Sequence, residues 1–154
     1  MEPDVPERSF ETPFGTLTLT ETDGAIVRLR WGAGMVEDTP LLREAEAQIL
    51  AYCAGEREDF DLPLRVQGSA FQRDVCAAMS AIPFGETRRY GDLAKDLGVP
   101  AQAIGQACGG NPIPVIIPCH RVLGANGLGG FSGGTGIETK VQLLRHEGAA
   151  SLLI

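Results

Sequence analysis

The stretch YGDLAKDLGVPAQAIGQAC, residues 90–108, sets the architecture of the second half of the chain. Tyr90 to Leu97 has the composition of one short helix, and Gly98 stops it. Pro100 suits a first helical turn, and a second short helix runs from there through about Cys108. Two short helices joined by a tight glycine-containing turn are a helix-turn-helix pattern. Plain helical hairpins share it, so the pattern alone leaves nucleic-acid binding open. Upstream, Ser69 and Gln72 have the spacing of a capping box, and Phe71, Val75, Met79 and Ile82 line one helical face before Pro83-Phe84-Gly85 ends it. Downstream, the prolines of Asn111-Pro112-Ile113-Pro114-Val115-Ile116-Ile117-Pro118 forbid a helix. Thr135 with Glu138 has capping-box spacing again, and Ile137, Val141 and Leu144 give the last helix its apolar face up to Gly148.

Further out, the first half reads as a sheet followed by one helix. Leu17 and Leu19 alternate with Thr16, Thr18 and Thr20, Asp23-Gly24 is a turn signal, and Val27, Leu29 and Trp31 alternate after it. Thr39-Pro40 opens a helix carrying Leu41, Leu42, Ala45, Ile49 and Leu50 up to Gly55. Phe60, Leu62 and Leu64 alternate as a third strand. Nothing in this half suggests chemistry. The pattern predicts an α+β protein in two parts, a small sheet-and-helix domain over residues 1–66 and a helical domain over residues 67–154.

With 44% apolar residues and a mean hydropathy near zero, the 154 residues can bury a core. No run approaches the ~20 apolar residues of a membrane span. Met1 to Thr12 has neither the basic nor the apolar region of a secretory signal. A soluble, cytoplasmic protein is the expectation. Net charge is −7, but residues 1–66 hold 14 acidic against 6 basic side chains, and residues 67–154 hold 6 against 7. The second half is near neutral, so DNA remains a feasible partner without strong long-range attraction. Cys53, Cys76, Cys108 and Cys119 are expected as free thiols. No C-x-x-C pair occurs and His120 and His146 are the two histidines, so no metal site is expected.

Pro118-Cys119-His120-Arg121-Val122 carries the sharpest chemical signal. A thiol attacks carbon as thiolate, so a reactive cysteine needs a base or a positive field beside it. A buried cysteine next to an incidental histidine accounts for the dipeptide equally well. The glycine-rich stretch from Gly124 to Gly136 lacks the Gly-Lys-Ser/Thr ending of a phosphate loop and reads as a flexible active-site wall.

Taken together, Phe71-Gln72, Ile82-Pro83-x-Gly85-x-Thr87, Tyr90-Gly91-x-Leu93-Ala94, Asn111-Pro112, Ile117-Pro118-Cys119-His120-Arg121-Val122, Gly133-Gly134, Lys140 and His146-Glu147-Gly148 resemble the O⁶-alkylguanine-DNA alkyltransferases, the methylated-DNA–protein-cysteine methyltransferase family. The resemblance is dense over residues 69–149 and general over the first 66. It implies a ribonuclease-H-like N-terminal domain and a winged-helix-like C-terminal one. It also implies single-turnover transfer of a methyl or other alkyl group from O⁶-alkylguanine, and from O⁴-alkylthymine as a further lesion, in double-stranded DNA. No cofactor and a monomeric protein are the expectations. Cys119 would be the acceptor, His120 the base acting through a water, and Glu147 the group that orients the imidazole. Asn111 would tie the strand before the cysteine to the turn after the helix pair, and Tyr90 would donate to the guanine ring as the O⁶ bond breaks. Gln102, Ala103, Arg121, Val122, Phe131 and Ser132 would face DNA or the flipped base. Carbonyls of Cys119 and Val122 would accept from the exocyclic amine, and the Ser132 amide would face O⁶.

Three positions depart from the family pattern. Gln102 replaces the arginine that enters the base stack, Phe131 replaces a tyrosine, and Cys76 stands where an aromatic is common. A damage-recognition protein that flips alkylguanine without repairing it is the alternative. Its relatives lack the acceptor cysteine, which is present here.

Overall fold

The structure, a computed structural model, describes residues 5–125, 127–129 and 136–149. The N-terminal half is an antiparallel meander of β1 (Glu7–Thr12), β2 (Gly15–Thr22) and β3 (Ala25–Trp31), in the order β1-β2-β3. The Asp23-Gly24 turn joins β2 to β3, where Asp23 and Gly24 both take positive φ (49° and 76°), as a tight hairpin requires. Leu17 and Leu19 of the central strand and Ile26 and Leu29 of β3 are fully buried, under helix α1 (Pro40–Cys53). Thr39 caps α1 by accepting from Leu42 N at 3.0 Å, with Pro40 in the first turn.

Two departures from the sequence pattern concern strands. β1 is a strand whose sequence, ERSFET, shows no apolar alternation; it is an edge strand, and charged side chains suit an edge. Phe60–Leu64 is not a third strand, since Leu64 makes a single parallel bridge to Ile26. Pro63 has no N–H to donate, and the backbone of Asp61 is satisfied by a side chain instead. Asp61 N donates to Gln48 Oε1 (2.9 Å), and Gln48 Nε2 donates to Asp61 O (3.1 Å).

The C-terminal half holds α2 (Ala70–Ser80), the short strand β4 (Arg88–Arg89), α3 (Tyr90–Leu97), α4 (Ala101–Gly109), a 3₁₀ turn (Cys119–Arg121), β5 (Val122–Leu123) and α5 (Ile137–Glu147). Ser69 caps α2 by accepting from Gln72 N at 3.0 Å. The Gln72 side chain crosses to Ala107 O (2.8 Å), which ties α2 to α4. Replacing the cap, Ser69→Ala, is expected to lower stability by about 1 kcal/mol, read as a shift of the urea midpoint. Gly98 ends α3 in the left-handed region (φ 69°, ψ 37°), which a residue with a Cβ enters only under strain, so the turn between α3 and α4 is set locally. α5 begins at Ile137 with Gly136 at its N-cap, and Thr135 lies outside the described residues.

Two connections place the helix pair against the 3₁₀ turn. Leu93, Ile104, Ala107 and Cys108 pack with Val75, Cys76 and Met79 of α2 in one apolar core that continues through Ile117, Cys119 and Val122 and on to the N-terminal sheet. β4 pairs in parallel with β5, Arg88 with Val122 and Arg89 with Leu123, so the start of α3 is hydrogen-bonded to the strand that follows the turn. The α+β reading holds, with a helix-turn-helix pair in the helical half. Among the described residues no helix is long and apolar enough to cross a membrane.

Candidate active site

Cys119 is delivered by a strongly folded loop. Ile116 N donates to Pro114 O (2.9 Å) across Val115, whose φ is 71°, and Cys119 N donates to Ile117 O (2.8 Å) across Pro118 (φ −81°, ψ 69°). These are two γ-turns, and the first has the rare positive-φ form at a β-branched residue, where strain is real. Asn111 locks the loop, with Nδ2 donating to Ile117 O (2.8 Å) while Oδ1 accepts from Ile113 N (3.0 Å). The Ile117 carbonyl that receives Cys119 N is thus also held by Asn111. Asn111 links the segment before the cysteine to the end of α4.

The thiol is 8% exposed and lines a cavity of about 690 Å³ between β3, the C-terminal end of α4 and the Pro112–Pro114 segment. Burial pushes its pKa up, while the Asn111 side chain and the Lys140 charge pull it down. It therefore rests as a thiol and needs a base when it attacks.

The residue expected to serve as that base, His120, follows Cys119 directly in the chain. His120 is fully buried, and its Nε2 lies 2.8 Å from Glu147 Oε2. Glu147 sits at the C-terminal end of α5, where Gly148 closes the helix with a left-handed φ of 68°. Burial pushes the Glu147 carboxyl up, but hydrogen bonds from His120, Arg121 and Tyr52 hold it at about 2, so it is a carboxylate. Nε2 therefore carries the proton and Nδ1 the lone pair; Nδ1 has no hydrogen-bond partner among the described residues. Burial holds His120 below its ordinary range, which keeps the ring neutral and able to accept a proton.

Other residues named from the sequence fall in different places. Tyr90 heads α3, half-buried, with the Lys140 ammonium 5.8 Å from its ring centroid. Gly129, at φ 74°, passes so close that a Cβ there would lie 2.9 Å from Tyr90 Cε2. Only glycine leaves that ring its place. Gln102 is exposed near the start of α4, with half-buried Ala103 beside it. Val122 is buried, and its carbonyl accepts from Lys140 Nζ at 2.7 Å. Phe131 and Ser132 lie outside the described residues.

Arg121 requires a correction. Its guanidinium turns inward, Nε donating to Glu147 Oε1 (2.8 Å), Nη2 to Glu147 Oε2 (3.0 Å) and Nη1 to Ile82 O (2.6 Å). At 6% exposure its charge is spent inside the fold on the Glu147 carboxylate rather than presented at the surface, because a buried carboxylate requires a compensating cation.

Two further residues escaped the sequence reading. Tyr52, on the half that promised no chemistry, donates to Glu147 Oε2 at 2.6 Å. Its position at helical spacing on α1 reads as core, and no local signal marks it otherwise. Lys140, quoted only within a motif, is fully buried with burial lowering its pKa to about 8. The apolar spacing of Ile137, Val141 and Leu144 did not mark it as buried, and its proximity to Cys119 required the tertiary fold. Among the described residues no cluster of His, Cys, Asp and Glu is arranged to hold a metal ion.

A buried free thiol, a histidine–carboxylate pair next to it in the chain and an adjoining helix-turn-helix pair together define the class, a DNA-binding-type fold built around a cysteine. Residues 70–149 match the family described as 6-O-methylguanine DNA methyltransferase, DNA binding domain, and residues 6–66 match its ribonuclease-like domain. The chain belongs to the 6-O-methylguanine DNA methyltransferase family. It is 41% identical to the methylated-DNA–protein-cysteine methyltransferase of Mycolicibacterium paratuberculosis over 159 residues, covering 96% of both chains. It is 40% identical to the constitutive enzyme of the same name from Bacillus subtilis, covering 89% of this chain and 92% of the relative. The crystal structure of the Mycobacterium tuberculosis O⁶-methylguanine methyltransferase is similar with a TM-score of 0.83 at 40% identity, covering 94% and 93% of the two chains. The structure of the same organism's OGT in complex with DNA gives 0.83 at 40% identity over 92% of each.

Proposed function

We propose that this protein repairs double-stranded DNA by taking the alkyl group of O⁶-alkylguanine onto Cys119 Sγ, once per molecule. The observation that carries the reading is the buried His120–Glu147 pair beside an unpaired thiol in a chain of this family. In the transfer, the Sγ–C bond forms as the O⁶–C bond breaks. The thiol proton passes to His120 Nδ1 through a water, and Glu147 stabilises the imidazolium that results. Tyr90 donates to the guanine ring as negative charge develops there. The thioether offers no leaving group to reverse the step. The base must be flipped to reach the thiol, and the carbonyls of Cys119 and Val122 face its exocyclic amine. Val122 O already accepts from Lys140, which leaves its second lone pair for the base.

The catalytic unit is residues 67–154, with residues 1–66 as support. The protein is read as a monomer, and its four free cysteines suit the reducing cytoplasm. Peptide mass mapping after incubation with O⁶-methylguanine duplex tests the reading: one methyl is expected on the Cys119 peptide. An unmodified protein bound to the lesion makes it a recognition module instead.

Gln102 allows a narrower test. It is exposed on α4, where an arginine would add stacking and positive charge to pairing with the orphaned base. Glutamine retains the pairing alone, so the flipped state is less favoured by about 1–3 kcal/mol, the size of one stacking contact. Gln102→Arg is expected to speed transfer from methylated duplex and leave reaction with free O⁶-benzylguanine unchanged, since a free base needs no unstacking. Equal changes on both substrates remove Gln102 from base flipping.

A further inference from the structure

The two halves of the chain converge on one oxygen atom. Glu147 Oε2 takes His120 Nε2 (2.8 Å), Arg121 Nη2 (3.0 Å) and the Tyr52 hydroxyl (2.6 Å). Tyr52 is 95 positions away on α1 and 1% exposed. Its ring is held on several sides. It stacks on His146 with centroids 4.9 Å apart and planes at 23°, and meets Phe60 at 5.5 Å and Phe84 at 6.2 Å. His146 Nε2 donates to the Tyr52 carbonyl at 2.7 Å, so α5 holds both ring and backbone. A phenylalanine would fill the same volume. The hydroxyl adds a polar group inside the core, a cost that, among the described residues, its bond to Glu147 offsets.

We propose that Tyr52 is a positioning residue for alkyl transfer, through which the N-terminal half fixes the Glu147 carboxylate and limits how tightly it holds the His120 proton. The proposal rests on the reading of His120 and Glu147 as the proton relay. Each donor to a carboxylate draws off part of its charge and lowers its basicity. With Oε2 shared among three donors, Glu147 orients the imidazole without pulling it into the charged form at rest. Loss of the Tyr52 hydroxyl concentrates the carboxylate's charge on Arg121 and His120. The imidazolium is then stabilised and His120 charges at a higher pH. The other groups around the pair are Cys53 beside Tyr52 on α1, Cys119 and Arg121 on the 3₁₀ turn, and Lys140 and His146 on α5. Arg121 and Lys140 both oppose protonation of His120 by their charge, and both remain in the variant.

The test is the pH profile of single-turnover transfer from O⁶-methylguanine duplex and from free O⁶-benzylguanine, for the wild-type protein, Tyr52→Phe and Glu147→Gln. Transfer needs neutral His120, so its rate falls on the acid side. In Tyr52→Phe that acid limb is expected about half a pH unit higher on both substrates, a displacement within the range one lost hydrogen bond gives. The His120 ring-nitrogen NMR titration should move with it. An acid limb at the wild-type position overturns the proposal, whatever happens to the melting temperature or plateau rate, because a merely structural tyrosine leaves that limb alone. If Glu147→Gln also transfers at the wild-type rate, the relay reading falls with it. A slow Glu147→Gln beside an unmoved Tyr52→Phe limb sinks the Tyr52 assignment alone. The unaltered protein offers a readout independent of any variant's folding. The Tyr52 hydroxyl proton should give a slowly exchanging downfield signal that shifts as His120 titrates, and a signal indifferent to that titration also overturns the proposal.

Discussion

Cys119→Ser is expected to take no methyl from an O⁶-methylguanine duplex while binding that duplex as tightly as the wild-type protein. A serine hydroxyl is a far weaker acid and nucleophile than a thiol, and neutral His120 cannot make up the difference at an sp³ carbon. The helices that would meet DNA are unchanged by the substitution, so binding and transfer separate. Intact-protein mass spectrometry reads the transfer, and a gel-shift titration reads the binding. The other thiols are poor substitutes for physical reasons. Burial pushes Cys108 up to about 12 and Cys53 to about 11, and neither adjoins a histidine held by a carboxylate. Methyl found on Cys53, Cys76 or Cys108 of the wild-type protein would refute the assignment.

The second large effect belongs to Glu147→Gln, for which both rate and stability are expected to fall. Without the carboxylate, His120 loses the group that orients it and stabilises its charge during transfer. General-base assistance of this kind contributes ~10²–10⁴-fold. Arg121 is left buried with no anion, which costs about 3–5 kcal/mol for a broken buried pair. The pH dependence gives a separate check. The folded-state pKa of Glu147, about 2, lies below its ordinary 4.5, so the stability it contributes is complete above pH 4.5 and is lost as pH falls toward 2. Glu147→Gln should therefore be less stable at neutral pH and lose less on acidification over that window. Urea titrations at neutral pH and near pH 3 measure both. A variant with wild-type single-turnover rates takes Glu147 out of the mechanism.

Much of the framework was legible in local signals. Thr39-Pro40, Ser69 and Gly98-Pro100 act through caps and turns spanning a few residues, and α1, α2, α3 and α4 lie where those signals put them. The Asp23-Gly24 hairpin has the same origin. The Cys119-His120 dipeptide was visible as a possible nucleophile and base, and several motifs in fixed order tied it to a family. Strand pairing was less legible. β1 owes its place to backbone hydrogen bonds with β2, which side-chain pattern does not encode at an edge. The apparent strand at Phe60–Leu64 met a proline and a glutamine side chain from α1.

The residue sequence alone determined which groups were available for chemistry and which backbone segments would be helical, because caps, turns and helical spacing operate within a few positions. Only the tertiary structure decided what those groups do. Packing α5 against the 3₁₀ turn and the end of α1 brings Glu147 to His120 across 27 positions and to Tyr52 across 95. The same packing turns Arg121 inward, and it sets the charge of Lys140 near the Cys119 thiol, where it opposes part of the effect of burial. Burial, charge and hydrogen bonding set how acidic or basic each group is, and all three depend on neighbours that the chain supplies from far away.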